Sequence, residues 1–402
     1  MKYNNTKINR FLPYSRQFID SRDIKEVTKV LKSDFITQGP RISIFEKNFA
    51  KYVGAKYAVA CATGTAALHL SCQALELGPG KKLLTTPITF VASANCAQFV
   101  GADTFFADID LINCCISPKS LEKKLKKNKI DVVVVVHMSG HPANLEEIFK
   151  LKKKYKFKLI EDACHALGGF YKKAKIGSCK YSEISTFSFH PVKPITTGEG
   201  GMITTNDVQI YKSLLKFRTH GIHKNKNDFI NKDMAFDKNG NVNSWYYEMN
   251  ALGFNYRITD IQAALGDSQL KKIDKFTKKR RQTAKIYNAG FSKNKLITVP
   301  NEHHGVRHAY HLYTILVNFK KLGKSRNEIM LELKKNNIGT QVLYIPVHLQ
   351  PYYSKKYGHK KRDFPEAEKY YESCLSIPIF SNLKKHEINH VITKINSIIE
   401  IK

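Results

Sequence analysis

The chain is poor in acidic residues: 34 Asp and Glu stand against 66 Lys and Arg, a formal net charge of +32. Such an excess raises nucleic acid or an anionic membrane as a partner. No recognisable nucleic-acid module is present, and arginine is scarce beside lysine. The lysines run along the whole chain, and clusters such as Lys152-Lys153-Lys154 and Lys271-Lys272 fall on helical patterns at solvated positions. They read as a lysine-rich surface, so no nucleic-acid partner is expected. Long apolar runs are missing too. Nothing approaches the roughly twenty apolar residues of a membrane-spanning helix, and no membrane partner is expected. Met1-Lys2-Tyr3-Asn4-Asn5 lacks the apolar stretch of a secretory signal. The eight cysteines include no Cys-x-x-Cys pair and no Cys/His zinc spacing. Cys114 and Cys115 are adjacent, which suits neither a disulfide framework nor a metal site. Cys61, Cys72, Cys96 and Cys164 lie in apolar contexts and read as small buried residues. A reducing, cytoplasmic setting without metal is expected.

What is present is an alternation. Short apolar runs recur at 57–61, 83–86, 104–107, 132–137, 159–161, 184–189 and 202–205. Helical patterns separate several of them, as at 65–77 and 145–155. The unbroken run of Val132-Val133-Val134-Val135-Val136 is what a parallel strand buried on both faces requires. The expected fold is α/β, a large, mostly parallel seven-stranded sheet with helices on both sides. Ahead of it, Ser21 is expected to cap a helix with Ile24, Val27 and Leu31 on one face. A second helix, 42–52, should end at Gly54. Residues 222–248 are polar and break the rhythm, which suggests a long loop, a lid or a dimer arm. Beyond it, strands are expected at 312–317 and 340–345 and a helix from His386. The expected division is a large domain over 1–270 and a smaller α/β domain over 271–402.

Ligands of such sheets bind at the carboxyl ends of strands, and the chemically suggestive residues fall there. Asp162 closes the apolar run at 159–161; a carboxylate there is costly unless a cation partners it. A pyridinium nitrogen is one such partner, and a buried Asp–Lys or Asp–Arg pair is another. Lys193 stands in Phe187-Ser188-Phe189-His190-Pro191-Val192-Lys193-Pro194, between two prolines and before Thr196-Thr197-Gly198-Glu199-Gly200-Gly201. That cramped turn leaves little room for a mobile surface lysine. Desolvation favours the neutral amine that imine formation needs. Thr63-Gly64-Thr65-Ala66 opens a helix and reads equally as an anion site or a plain N-cap. Ser188, five residues before Lys193, is either a phosphate contact or a satisfied buried serine. His165 is a ring-oxygen contact or a structural histidine. Together, the strand-end aspartate, the lysine turn and the glycine-started helix are what pyridoxal phosphate needs.

Over nearly its whole length the chain resembles the DegT/DnrJ/EryC1/StrS sugar aminotransferases, pyridoxal phosphate enzymes of fold type I. The likeness is carried by Thr37-Gln38-Gly39-Pro40, Gly64-Thr65-Ala66-Ala67-Leu68, Pro87-Ile88-Thr89-Phe90-Val91-Ala92, Glu161-Asp162-Ala163-Cys164-His165-Ala166-Leu167-Gly168, the lysine turn and Gly253-Phe254-Asn255-Tyr256-Arg257. The resemblance implies that Lys193 forms the cofactor imine and then shuttles the proton. Asp162 holds the ring nitrogen protonated, His165 contacts the ring oxygen and Phe90 stacks on the ring. Gly64, Thr65 and Ser188 hold the phosphate. Asn255 reaches the phosphate of a neighbouring subunit, which implies a homodimer with shared sites. Tyr14, Phe35, Ile36, Thr37, Tyr344, Ile345, Pro346 and His348 resemble nucleotide-sugar contacts. A finer likeness, to the branch serving pseudaminic acid synthesis, rests on Pro13-Tyr14-Ser15-Arg16-Gln17, Gly177-Ser178-Cys179 and Ile195-Thr196-Thr197-Gly198-Glu199-Gly200-Gly201. It implies a UDP-linked 4-keto-6-deoxy-N-acetylhexosamine as substrate and L-glutamate as amino donor. Alternatives are a D-configured 4-keto sugar, as in the bacillosamine route, a 3-keto sugar, or a cofactor-binding regulator without turnover. Lys193→Arg is expected to abolish both turnover and the imine absorbance, measured by glutamate-dependent assay and visible spectroscopy; an active variant contradicts the assignment.

Overall fold

The computed structural model describes residues 8–400, so the segment Met1-Lys2-Tyr3-Asn4-Asn5 lies outside the described residues. Seven strands form the central sheet: β1 (Tyr57–Cys61), β2 (Lys82–Thr85), β3 (Asp103–Phe106), β4 (Val132–Val136), β5 (Lys158–Asp162), β6 (Ile184–Ser188) and β7 (Gly201–Thr205). Their spatial order is β1-β7-β6-β5-β4-β2-β3. All neighbours are parallel except β7, which runs antiparallel to β1 and to β6. The valines of β4 are buried throughout. Val133 and Val135 join one apolar core, Val132 and Val134 another, on the opposite face. This two-sided burial explains a strand with no polar alternation.

The first helix, α1 (Ser21–Leu31), differs from expectation at both its cap and its face. Asp20, not Ser21, is the N-cap; its side chain accepts from the N–H groups of Arg22 and Asp23. Ile24 and Leu31 are exposed, while Asp23 and Val30 are buried. Asp23 turns inward because Ser268, Gln269 and Lys272 all bond to its carboxylate. A charged network on a neighbouring helix thus selects the face, against the apolar spacing. α2 (Pro40–Val53) ends at Gly54 in the left-handed conformation, as expected. α3 (Gly64–Ala74) follows β1, and the helix Leu145–Tyr155 matches its predicted span. Thr259 caps the helix Asp260–Leu270 through a reciprocal bond pair with Gln262.

A second, antiparallel sheet has Tyr313–Val317 at its centre, between Ile297–Thr298 and Cys374–Ile377. It packs on the long helices Ile273–Phe291 and Lys385–Ile398 through Tyr287, Tyr313, Ile392 and Ile395. The strand expected at 340–345 does not form. Gln341 makes a single bridge to Ser376, and the N–H of Val342 then bonds to the side-chain Oε1 of Gln341 at 2.9 Å. The chain leaves the sheet there and carries Tyr344 to the site described below. The polar segment 222–248 is more ordered than a plain loop. Ile222–His223 pairs with Glu248–Met249, and a short helix, Lys232–Ala235, lies between them. The Glu248 carboxylate gathers this arm, accepting from the N–H groups of Ile230 and Asn231 and from the Tyr246 hydroxyl.

Behind the strand ends lies a buried histidine–carboxylate hydrogen bond. His137, just past β4, meets Glu161 of β5 through Nε2 at 2.9 Å. Its Nδ1 accepts from the N–H of Ala143, so Nε2 carries the proton given to Glu161. Ser182 donates to the other carboxylate oxygen at 2.6 Å, and the His137 N–H donates to the Asp162 carbonyl. The pair therefore fixes the ends of β4 and β5 relative to each other. His137→Ala removes the donor to one oxygen of a buried carboxylate and should cost about 1.5–3 kcal/mol, read as a lower urea midpoint.

Candidate active site

Asp162 is the last residue of β5, and Ser188 the last of β6. The turn from β6 to β7 is held open at a fixed width. Phe189 donates its N–H to Gly200, and its carbonyl accepts from the N–H of Thr197 and from Thr196 Oγ1. Lys193 sits in this turn, its own N–H bonded to the His190 carbonyl at 2.8 Å. From the N-terminal segment, Ser15 Oγ donates to the Val192 carbonyl at 2.9 Å. β1 delivers the start of α3 to the same edge of the sheet. These elements enclose a cavity of about 440 Å³. Nine predicted residues line it: Tyr14, Gly64, Thr65, Phe90, Asp162, His165, Ser188, Lys193 and Tyr344.

The carboxylate of Asp162 is oriented by two donors. Ser93 Oγ donates to Oδ2 at 2.6 Å, and the Cys164 N–H to Oδ1 at 3.2 Å. Ser93 is in turn bonded to Thr89 Oγ1 at 2.8 Å. Neither serine nor threonine was singled out as a site residue. Thr89 lies just ahead of the helix Ala92–Phe99 and Ser93 in its first turn, and hydroxyls there carry no chemical mark in the sequence. Burial lowers the Lys193 amine below its ordinary value, opposed by the charge of Asp162. His165 is buried, and burial, with the Lys193 charge, pushes its imidazole well down, so the ring is neutral. Its Nε2 lies 3.3 Å from the Tyr344 hydroxyl. Phe90 is half exposed, with its ring 5.9 Å from that of Tyr344.

The residues fit a phosphorylated pyridine. Thr63 accepts the Ala66 N–H through its side chain, while the first N–H groups of a helix have no partner within it. Gly64 and Thr65 bring that helix start to the cavity wall. A Cβ on Gly64 would stand 2.7 Å from Ser188 Cβ, so only glycine lets α3 approach the end of β6. Asp162 offers a fixed anion and Lys193 an amine of lowered proton affinity.

The other predicted residues lie elsewhere. Phe35, Ile36 and Thr37 are exposed and outside the cavity, as is Asn255. Ile345 is exposed, and Pro346 is buried beyond Tyr344. His348 is fully buried, its Nε2 3.1 Å from Glu368 Oε1 and its ring against Phe364. The turn after Pro346 directs it into the core, outside the cavity. The cysteines behave nearly as expected: Cys61, Cys72 and Cys96 are buried, Cys164 partly so at the cavity wall. Among the described residues there is no His/Cys/Asp/Glu cluster able to hold a metal. No helix among them is long and apolar enough to cross a membrane.

A model of the DegT/DnrJ/EryC1/StrS aminotransferase family matches residues 17–396. The spore coat polysaccharide biosynthesis protein SpsC of Bacillus subtilis is 38% identical, over 98% of both chains. A UDP-4-amino-4,6-dideoxy-N-acetyl-beta-L-altrosamine transaminase of Campylobacter jejuni is 37% identical, over 97% of this chain and 98% of its own. Among solved structures, Helicobacter pylori PseC, an aminotransferase of pseudoaminic acid biosynthesis, superposes with a TM-score of 0.87 at 30% identity. It covers 97% of this chain and 99% of its own. The chain belongs to the DegT/DnrJ/EryC1/StrS aminotransferase family. It is a pyridoxal-phosphate-dependent nucleotide-sugar aminotransferase with the α/β fold of that group. Removing the Ser93 hydroxyl takes away a bond to a charged acceptor worth about 1.5–3 kcal/mol. Ser93→Ala should therefore weaken cofactor retention roughly tenfold or more, measured by equilibrium dialysis against pyridoxal phosphate, with the melting temperature little changed.

Proposed function

We propose that this enzyme transfers an amino group from L-glutamate to C4 of a UDP-linked 4-keto-6-deoxy-N-acetylhexosamine. The substrate is UDP-2-acetamido-2,6-dideoxy-β-L-arabino-hex-4-ulose, on the way to pseudaminic acid. The chemistry rests on one observation: Lys193 and Asp162 line one cavity whose wall is a glycine-started helix. The choice of sugar rests on the names of the Campylobacter and Helicobacter relatives.

Bound pyridoxal phosphate supplies a conjugated ring that takes up the electron pair released at the amine-bearing carbon. Everything else falls to the chain. Lys193 Nζ would hold the cofactor and, once freed, would serve at Nζ as the base and then the acid for the proton transfer. Asp162, set by Ser93 and the Cys164 N–H, keeps the proton on the ring nitrogen. His165 contacts the ring oxygen and Phe90 covers the ring face. Gly64, Thr65 and Ser188 hold the phosphate. Glutamate takes up one water oxygen as it leaves as 2-oxoglutarate, and the sugar's keto oxygen is released as one water, so no net water is consumed.

Tyr14 and Tyr344, at the cavity wall, are the innermost sugar contacts in this proposal. Phe35, Ile36, Thr37 and Ile345 form its outer rim, with the buried Pro346 and His348 behind it. A second copy of the chain completes the rim, with Asn255 reaching the phosphate across a homodimer. The arm supports this: Ile230 and Trp245, with Leu252 just beyond it, are more than two-thirds exposed, apolar side chains that a second copy would cover. We assign residues 1–270 to the cofactor-holding domain and 271–402 to the smaller one, and place the enzyme in the cytoplasm. Incubation with glutamate and each keto-sugar, followed by NMR of the product, tests the substrate. The L-configured 4-keto sugar should be aminated at C4; amination only of the D-configured 4-keto sugar or of a 3-keto sugar overturns the proposal.

A further inference from the structure

We infer that His311 is a positioning residue, holding the ring of His165 at the cofactor cavity. The inference rests on the aminotransferase function proposed above. His165 follows β5 in the large sheet, whereas His311 leads into the strand Tyr313–Val317 of the second sheet. Their rings meet with centroids 4.4 Å apart, tilted by 40°. Both are buried, at 5% and 1% exposure. Each keeps a buried Nδ1 without a hydrogen-bond partner. A buried polar atom left unpaired costs about 1–3 kcal/mol, and phenylalanine or leucine would fill either place without that cost. Two such atoms side by side at the edge of a reactive cavity call for a function.

The backbone of His311 is held independently of its ring. Arg280, itself buried, donates from Nη1 to the His311 carbonyl at 3.0 Å and to the Ile379 carbonyl at 2.8 Å. On the other side, a Cβ on Gly140 would lie 3.1 Å from the His311 nitrogen and 2.6 Å from the His165 carbonyl. One glycine therefore touches both histidine segments and allows their close approach. The pinned main chain fixes where the His311 side chain starts, and burial at 1% exposure leaves its ring little room to move from His165. His165 is then held from two directions, by the face of His311 and by the Tyr344 hydroxyl on Nε2. Both supports come from the second sheet's side of the chain and the histidine from the first. Burial, and after it the ionisable groups His165, Lys193, Arg280 and His190 nearby, lower the His311 imidazole well below its ordinary value. Together they keep the imidazole neutral, so His311 acts on His165 by contact and polarity rather than by charge.

The test uses the holoenzyme. His311→Phe keeps a ring of similar size and removes both nitrogens. The expected result is a melting temperature at or above that of the wild type and an unchanged cofactor content. The midpoint of the pH titration of the cofactor's visible band, measured without substrate, moves by about one unit, and kcat falls about tenfold at constant KM. His165→Phe should cause a loss of the same kind, and the double variant should be no worse than His165→Phe alone. An unmoved titration, or losses that multiply in the double variant, overturns the inference. Should His311→Phe fail to fold, His311→Gln carries the same titration and the same cycle. A wild-type protein with no cofactor band contradicts the aminotransferase function instead, so the two failures are distinguishable.

Discussion

A carboxylate at the closed end of a parallel strand is the constraint around which this molecule is arranged. Asp162 stands where an isolated negative charge is expensive, and the surrounding sequence is spent on making it useful. Ser93 and the Cys164 N–H fix its two oxygens. Glu161, the preceding residue, points the other way and is paired with His137 across β4 and β5. Two adjacent carboxylates thus have different tasks set by strand alternation. One locks the strand ends together, and the other faces the cavity. Lys193 reaches the same cavity from a turn whose width is set by bonds between Phe189 and the residues before β7. Neither the lysine nor the aspartate has a mobile support.

The site also depends on parts that are distant in sequence. Tyr344 and His311 belong to the stretch that builds the second sheet, yet both meet His165. Ser15, from the N-terminal segment, closes on the lysine turn. The cavity is therefore a junction of three stretches of chain. Relative movement of the two sheets would change the support of His165 before it changed Asp162.

Much of this was legible in the residues. The seven strands and the placement of Lys193, Asp162, Gly64 and Ser188 at strand ends followed from apolar runs and breakers, which are local signals. The misreadings came from non-local partners. The face of α1 was chosen by a buried acidic network with the helix Asp260–Leu270 and Lys272, which periodicity does not reveal. The segment 340–345 has strand-forming residues but leaves the sheet to deliver Tyr344. His348 lies next to cavity residues in sequence and is turned into the core by the bend at Pro346. Ser93 was passed over because a serine in a helix carries no chemical mark until its partner is known.

The central claim is that Lys193 is the residue that carries the cofactor beside Asp162. Reduction of the holoenzyme with borohydride, followed by proteolysis and mass mapping, tests it most directly. The account predicts one pyridoxyl-phosphate adduct per chain, on the peptide containing Lys193. An adduct on any other of the chain's many lysines, with Lys193 unmodified, would contradict it.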